Sequence, residues 1–350
     1  MWNYQANTMR PDGYGVLNND ADLIYNRERI KRAADIFKRK DWLYIATNGK
    51  EGTKPKGQPS VFFPYAGQLT MRSGYEPNAH WAFFDIGPWG TGHQHNDKLH
   101  VSVYAFGSDL LVDGGRFAYR GAMADKFRKY ATGSHSHNVI LIDGKGQADG
   151  PRLTDESLTD KNFKRTPEYD HTWSSFDRFD GIDGICTHTR SVFNVRGKFW
   201  IIADRITTDC PRKVETLWHW HPECVVSTKM ANAISGGSNK GNLAIIPAGK
   251  VKWNITRVKG QEIPSPQGWY SREYNFAEPA ETDIFSATIG QSYTFVWILY
   301  PFVNQSPVIN AIVTSENENN IKIKVKVKGE GRWEIMNPFT NSGGAILNLK

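Results

Sequence analysis

From about Val61 onward the sequence is cut into short runs rich in β-branched and aromatic residues. "HWAFFDIG", "KLHVSVYAFG", "DLLVDGG", "HNVILIDG", "TRSVFNVRGKFWIIADRI", "YTFVWILYPF" and "NIKIKVKVKG" follow one another, with Gly, Pro, Asn and Asp at the joints. Strands of this kind must bury a face against a second layer, so the expected fold is mainly β: a large antiparallel β-sandwich with a short N-terminal helical segment. The tract "IKIKVKVK" alternates strictly. It sends Ile and Val to one face and Lys to the other, as an outer strand of a sandwich would.

The first part of the chain reads differently. Met1 to about Tyr25 looks irregular, with "RPDGYG" a turn. Between Asn26 and Thr47, Ile30, Ala33, Ala34 and Phe37 recur at helical spacing, with Asn26 available as a cap. That spacing predicts an amphipathic helix. "NGKEGTKPKGQP" (48–59) is a Gly/Pro/Lys linker. The expected division is therefore residues 1–57, a helical segment with its linker, and 58–350, the sandwich. The helix's apolar side needs a cover, and a homodimer or an associated helical domain is the expected one.

No run of 18 apolar residues occurs in the 350, so no helical membrane span is expected. The formal charge of +7 favours polyanions. There is no zinc-finger spacing and no block of Lys and Arg alone, which argues against nucleic acid. The 12 Trp and 14 Tyr suit stacking on sugars, and equally suit a β core. Three cysteines without a CxxC leave room for one disulfide, or more simply for three buried free thiols. The first residues show no basic-then-apolar leader.

The chemistry concentrates in "GHQHNDKLHVSVYAFGSDLLVDGG" (92–115). His93, His95 and Asp97 alternate, and would share one face of an extended segment. Asp113 stands before Gly-Gly at the end of the next expected strand, which a hairpin through "FGSD" would return beside the histidines. "YATGSHSHNVILIDG" adds His135 and His137. Two imidazoles and one carboxylate make a shell for Zn²⁺ with one position left over. The same residues would also serve as ordinary hydrogen-bonding groups at strand ends. "LWHWHPE" repeats the pattern with His219 and His221, as a second metal site or a cleft-edge strand.

"FPYAGQLTMRSG", "GTGHQHNDKLHVSVYAFGSDLLVDGGRFAY", "SHNVILIDGKGQ" and "GWYSREYNFAEPA" resemble, in order, landmarks of the heparinase II/III-like polysaccharide lyases, alginate-type lyases included. The resemblance runs from about Pro11 to Phe302. It implies a zinc held by His95, Asp113 and His137, with His135 the rival for the last place, and a structural role for that zinc. It implies that His93 faces the substrate cleft, so a local kink must separate His93 from His95. Tyr130, in "KFRKYATGSHSHN", is implied as acid/base, with a core tyrosine as the other reading. Arg72, in "TMRSG", resembles a cleft arginine, and Trp89 and Arg116 complete the candidate substrate-binding set.

The implied reaction is β-elimination on a uronic acid of an acidic polysaccharide, met in the periplasm or outside the cell. Members of the family carry a long α-helical toroid before the sandwich, and part of the catalytic set stands there. This chain shows about one such helix. A chain short of those groups would fold around zinc and yet be inactive alone. Two other classes stay open: a non-catalytic β-sandwich that binds acidic carbohydrate, and a glycoside hydrolase, whose facing carboxylate pair is not identifiable in the sequence.

Overall fold

The computed structural model describes residues 1–87, 90, 92–150, 158–229, 231–236 and 240–349. Three short helices precede the strands: α1 (Trp2–Thr8), α2 (Arg27–Ile36) and α3 (Lys40–Ala46). The single helix expected over 26–47 is thus two, and α1 lies in a stretch read as irregular. The break falls at Lys38, whose φ of +54° is left-handed, and Arg39, which is extended. The Asn26 side chain makes no capping hydrogen bond. Breaking the helix lets its halves cover each other. Ile30, Ala33 and Ala34 pack with Ala6 and Met9, with Trp42, Ile45 and Ala46, and with Tyr75. The apolar side of α2 is therefore covered within the chain, which corrects the expected partner surface; only Ile36 and Phe37 at its end stay exposed.

Apart from a fourth helix, α4 (Gly121–Thr132), which follows the strand Ser108–Leu111 in the chain and carries Arg128 and Tyr130, the rest is mainly antiparallel β-structure in three layers. A central eight-stranded sheet includes Cys186–Val195, Phe199–Thr208 and Tyr293–Val303 as adjacent members. It is buried on both faces. Trp200, Ile202 and Ile206 enter one core, while Phe199, Ile201 and Ala203 enter the other. Alternation of period two with apolar residues at both phases is what a middle layer requires.

On the first face lies a five-stranded sheet: β1 (Val61–Phe63), β2 (Gln68–Arg72), β3 (Trp81–Asp85), β4 (Val101–Ala105) and β5 (Ser108–Leu111), in that order. Beside it runs a four-stranded sheet that includes β6 (Ile140–Ile142), paired with Arg212–His219. On the second face sits a C-terminal four-stranded sheet, residues 309–349, whose Ile321, Ile323, Val325, Val327, Trp333 and Ile335 close the other core. The β4–β5 connection is the hairpin expected through "FGSD". Phe106 and Gly107 have φ of +51° and +81°, as a two-residue turn matched to strand twist demands. Cys186 is buried, Cys210 and Cys224 are half-buried, and all three are free thiols.

Candidate metal centre and cleft

Residues 92–99 connect β3 to β4 as turns and bends rather than as a strand. The reason is at His93, whose φ of +56° turns the backbone. The turn separates the two imidazoles. The His93 side chain is 70% exposed, and that of His95 is fully buried. The kink required by the His-x-His pattern is therefore present at its first residue.

His95, Asp113 and His137 converge, each offering one ligand atom within 4.8 Å of the others. They come from three segments: the β3–β4 connection, the end of β5, and the turn before β6. Their hydrogen bonds test whether a cation fits. The Nε2 of His137 faces the Ala131 carbonyl at 3.1 Å, so that nitrogen carries the proton and Nδ1 holds a lone pair. Nδ1 lies 3.0 Å from Asp113 Oδ2. A lone pair and a carboxylate oxygen at that distance need a proton or a metal between them. Asp113 Oδ1 is already occupied by the Gly115 amide at 2.8 Å. His95 Nε2 faces Asp20 Oδ1 at 3.0 Å, which leaves His95 Nδ1 buried with no partner. Two imidazole nitrogens and one carboxylate oxygen thus stand ready, and each imidazole is oriented by an acceptor on its far nitrogen, as metal-binding histidines are. Burial opposes charge on Asp113, but His137, His100 and His95 together outweigh it, so Asp113 is held below the usual carboxylate range. Burial likewise opposes charge on His137, and Asp113 raises it above the ordinary imidazole value.

Asp20 joins this centre to the surface. Its carboxylate is 3% exposed and receives four contacts: His95 Nε2 at 3.0 Å and His93 Nδ1 at 2.7 Å, with Arg128 at 2.5 and 2.9 Å. A carboxylate only accepts, so both imidazole nitrogens facing it are the protonated ones. A neutral His93 ring in this contact carries its lone pair on Nε2. The Tyr119 hydroxyl lies 3.0 Å from His93 Nδ1. Arg116 and Arg128 both lie over the Tyr119 ring, at 5.3 and 4.9 Å, and Arg116 also lies over Tyr274. Arg116 is bound to Asp22 at 2.6 and 2.8 Å. Burial opposes charge on Asp20, and the hydrogen bonds from His95, Arg128 and His93 outweigh it, holding its pKa below the usual range.

A second group of residues fixes the shoulders. The side-chain amide of Asn138 donates to the Val101 and Val112 carbonyls, and its oxygen accepts from the His219 amide. Arg190, fully buried on the central sheet, donates to the Leu99 and Asn138 carbonyls at 2.7 and 2.5 Å. Asp204 holds the same guanidinium at 2.6 and 3.1 Å and also takes His188 and the Trp297 indole. A buried arginine with its carboxylate thus pins the loops that carry His95 and His137 from below. Removing one partner of such a pair leaves an uncompensated buried charge, at a cost of about 3–5 kcal/mol.

Several expectations require correction. Tyr130 is buried and is not exposed beside His93. Its hydroxyl is buried against Gln267 Oε1 (3.1 Å) and the Trp269 carbonyl (3.4 Å), within a cluster of Phe117, Phe127 and Ala131. Burial pushes its phenol pKa up, away from acid/base work near neutrality. Arg72 is 2% exposed. It donates to the Met9 carbonyl and lies over Tyr75, so it ties the N-terminal helices to β2 instead of facing sugar. Asp97, the third member of the motif, is buried with both carboxylate oxygens unpartnered and lies outside the three-residue group; burial pushes its pKa up. It lines a cavity of about 270 Å³ with His95, Asp85 and Lys98.

His135 is also outside the metal group, while its carbonyl accepts from His219 and Gln267. His219 is used up by that contact and by Asn138, and is no second metal ligand. Trp89 lies outside the described residues. Arg116 lies over Tyr119 and Tyr274 and is paired with Asp22. Asp20, Tyr119, Arg128 and Asn138 were not singled out from the sequence. Tyr119, like Tyr130, lies in the sequence between Asp113 and His137, and that position was the available signal.

The chain is similar to known proteins over most of its length. Residues 55–325 match the family model described as "Heparinase II/III-like, C-terminal". A heparin-sulfate lyase of Pedobacter heparinus is 25% identical over 266 residues, which cover 75% of this chain and 38% of that protein. The solved structure of the heparan sulfate lyase HepC from Pedobacter heparinus superposes with a TM-score of 0.80 at 19% identity, covering 96% of this chain and 52% of that one. A heparinase III structure gives a TM-score of 0.79 at 19% identity, over 95% and 51%. The chain thus spans only about two-fifths to one-half of the length of these proteins, and by its matched C-terminal domain it belongs to the heparinase II/III-like family.

Proposed function

We propose that this chain is the β-sandwich part of a polysaccharide lyase that cleaves a uronic-acid-containing glycan of the heparan sulfate class by β-elimination. The observation that carries the reading is the Asp20 clamp. It fixes the tautomer of an exposed histidine beside a tyrosine hydroxyl, at the rim of a buried His/Asp/His group. The relatives' printed activities supply the substrate class.

His93 Nε2 takes the C5 proton. The freed electron pair forms the C4–C5 double bond as the bond from C4 to the glycosidic oxygen breaks. Tyr119 gives its proton to that oxygen, and exchange with solvent resets both groups. The step needs the uronate carboxylate to be neutralised, because negative charge spreads onto it. Arg116 and Arg128 are already paired with Asp22 and Asp20, so a further cation or donor must come from a helical region like that of the longer family members. The metal we assign to His95, Asp113 and His137 is zinc; bound there it would tie three segments together and position His93 without activating water. We extend the reading to a location in the periplasm or outside the cell, where such glycans are met.

The test is direct. The chain is incubated with heparan sulfate, alginate, hyaluronan and chondroitin, and the ultraviolet absorbance of the unsaturated product is followed. Absorbance with heparan sulfate, lost in His93→Ala, supports the reading. Binding with no absorbance from any glycan, even with the helical region of a relative added, replaces it with a non-catalytic binding module. Elemental analysis should find zinc bound to the chain and absent from His95→Ala; another metal, or full retention in the variant, overturns the assignment.

A further inference from the structure

We propose that the outer face of the C-terminal sheet is a second docking surface for an acidic polysaccharide chain, separate from the cleft at His93. The strand Asn320–Val327 buries Ile321, Ile323, Val325 and Val327 and exposes Lys322, Lys324 and Lys326, with Lys328 just beyond its end. Alternate residues of a strand are ~6.7 Å apart, so the four ammonium groups form a row of about 20 Å. Register adds Arg332 beside Lys326, also exposed. The one acid in these rows is Glu334, opposite Lys324 and paired with it at 3.0 Å. Asn310 and Ile312 flank Lys326 and Lys324 on the other side. Five cations therefore face one carboxylate on this part of the sheet.

Two bland explanations fit poorly. Lysines often guard a sheet edge against pairing with another chain. This strand is interior: it pairs with Ile309–Glu316 on one side and Gly331–Pro338 on the other. A face that is merely solvated would mix both signs. Like charges in a row repel unless something of opposite sign is nearby, and a linear polyanion matches such a row in sign and shape. A shallow groove of about 390 Å³ runs across the same face, lined by Lys322, Lys324, Glu334, Met336, Ile346 and Asn348. That face belongs to the layer on the far side of the central sheet from Arg190 and the metal group. With ~10 Å between layers, the two surfaces lie about 20 Å or more apart. A long chain could hold the outer face without competing for the cleft, and would raise its own local concentration there.

The choice of polysaccharide rests on the lyase reading, and the experiment separates the two. Binding of the full chain to immobilised heparan sulfate is measured as a function of salt. The probe variant carries Lys322→Gln, Lys324→Gln, Lys326→Gln and Lys328→Gln. A control variant of equal charge carries Lys54→Gln, Lys56→Gln, Lys250→Gln and Lys252→Gln. All eight side chains point to solvent, and circular dichroism checks that both variants fold. The slope of log affinity against log salt should fall by about 3–4 in the probe variant and by less than about 1 in the control. His93→Ala should leave the slope unchanged. An unaltered slope in the probe variant, or an equal loss in the control, overturns the proposal. A wild-type protein that shows the lysine-dependent slope but yields no unsaturated product, even with the helical region of a relative added, removes the lyase reading and leaves the docking surface standing.

Discussion

Asp20→Asn is the sharpest perturbation of the site, because it keeps the shape of the side chain and removes its charge. In the native protein both oxygens are doubly engaged, one by His95 and Arg128, the other by His93 and Arg128. Asparagine offers one acceptor and turns an NH₂ toward two donors. One histidine must then rotate or change tautomer. If it is His95, the proton moves to Nδ1, the nitrogen needed by the metal. Loss of an outer partner of this kind typically weakens metal binding by about 10–100-fold, or roughly 1.4–2.7 kcal/mol. The carboxylate is 3% exposed, so solvent does not screen the loss. Arg128 is 28% exposed and can turn to water, so the metal-free protein should lose less, on the order of 1 kcal/mol. The assay is competition for zinc against a chelating dye, with urea unfolding of metal-free and metal-loaded protein alongside. The expected signature is a metal-loaded form that loses more stability than the metal-free form. Zinc affinity within twofold of wild type would show that Asp20 does not orient His95, and the coupling of the metal centre to His93 would fall with it.

Two further outcomes follow from the geometry. In an enzyme completed with its helical region, Tyr119→Phe should lower turnover by about 10²–10⁴-fold while zinc content is unchanged, and Tyr130→Phe should mainly lower stability by about 1 kcal/mol; the opposite ranking would return Tyr130 to the cleft. His171 is buried, and burial pushes its pKa down to about 3, so the fold holds it neutral where the unfolded chain takes up a proton below about 6.5. Stability contributed in this way is lost as pH falls, so relative to His171→Gln the wild type should lose about 1.4 kcal/mol for each pH unit between about 6 and 4. Parallel urea midpoints for the two proteins across that range would contradict it. The comparison with the variant matters, because Asp85 and Asp97, raised by burial, act in the other direction.

What could be read before any coordinates were known follows from how local each signal is. The period-two alternation of "IKIKVKVK" and the Phe106–Gly107 turn are consequences of a few adjacent residues, so the outer strand and the hairpin were legible. The break at Lys38 was not, because a left-handed lysine is imposed by packing α2 onto α3 and has no composition cue. Arg72 and Tyr130 show the same limit. A polar group on a cleft wall and one sealed between layers have identical local sequence, and only burial tells them apart. Asp20 was invisible for a third reason. It sits in "LNNDADL", which reads as an ordinary polar turn, and its importance comes from contacts 73 and 75 residues away.

That last point bears on how the site is built. The segment around Asp20 is stitched to the strands at several places: Asn19 receives the His95 amide, Asp22 holds Arg116, the Leu23 amide donates to Arg272, and Arg10 pairs with Asp109. These contacts come from residues that precede β1, yet they hold His95, Arg116, Arg272 and Asp109, all of which follow β3. The three residues of the candidate metal group lie on the strand-rich part, and the carboxylate that faces His93 and His95 does not. A piece of this protein beginning at residue 58 would keep His95, Asp113 and His137 and lose that carboxylate. The metal group and the exposed histidine therefore belong to one unit whose working part starts well before the first strand.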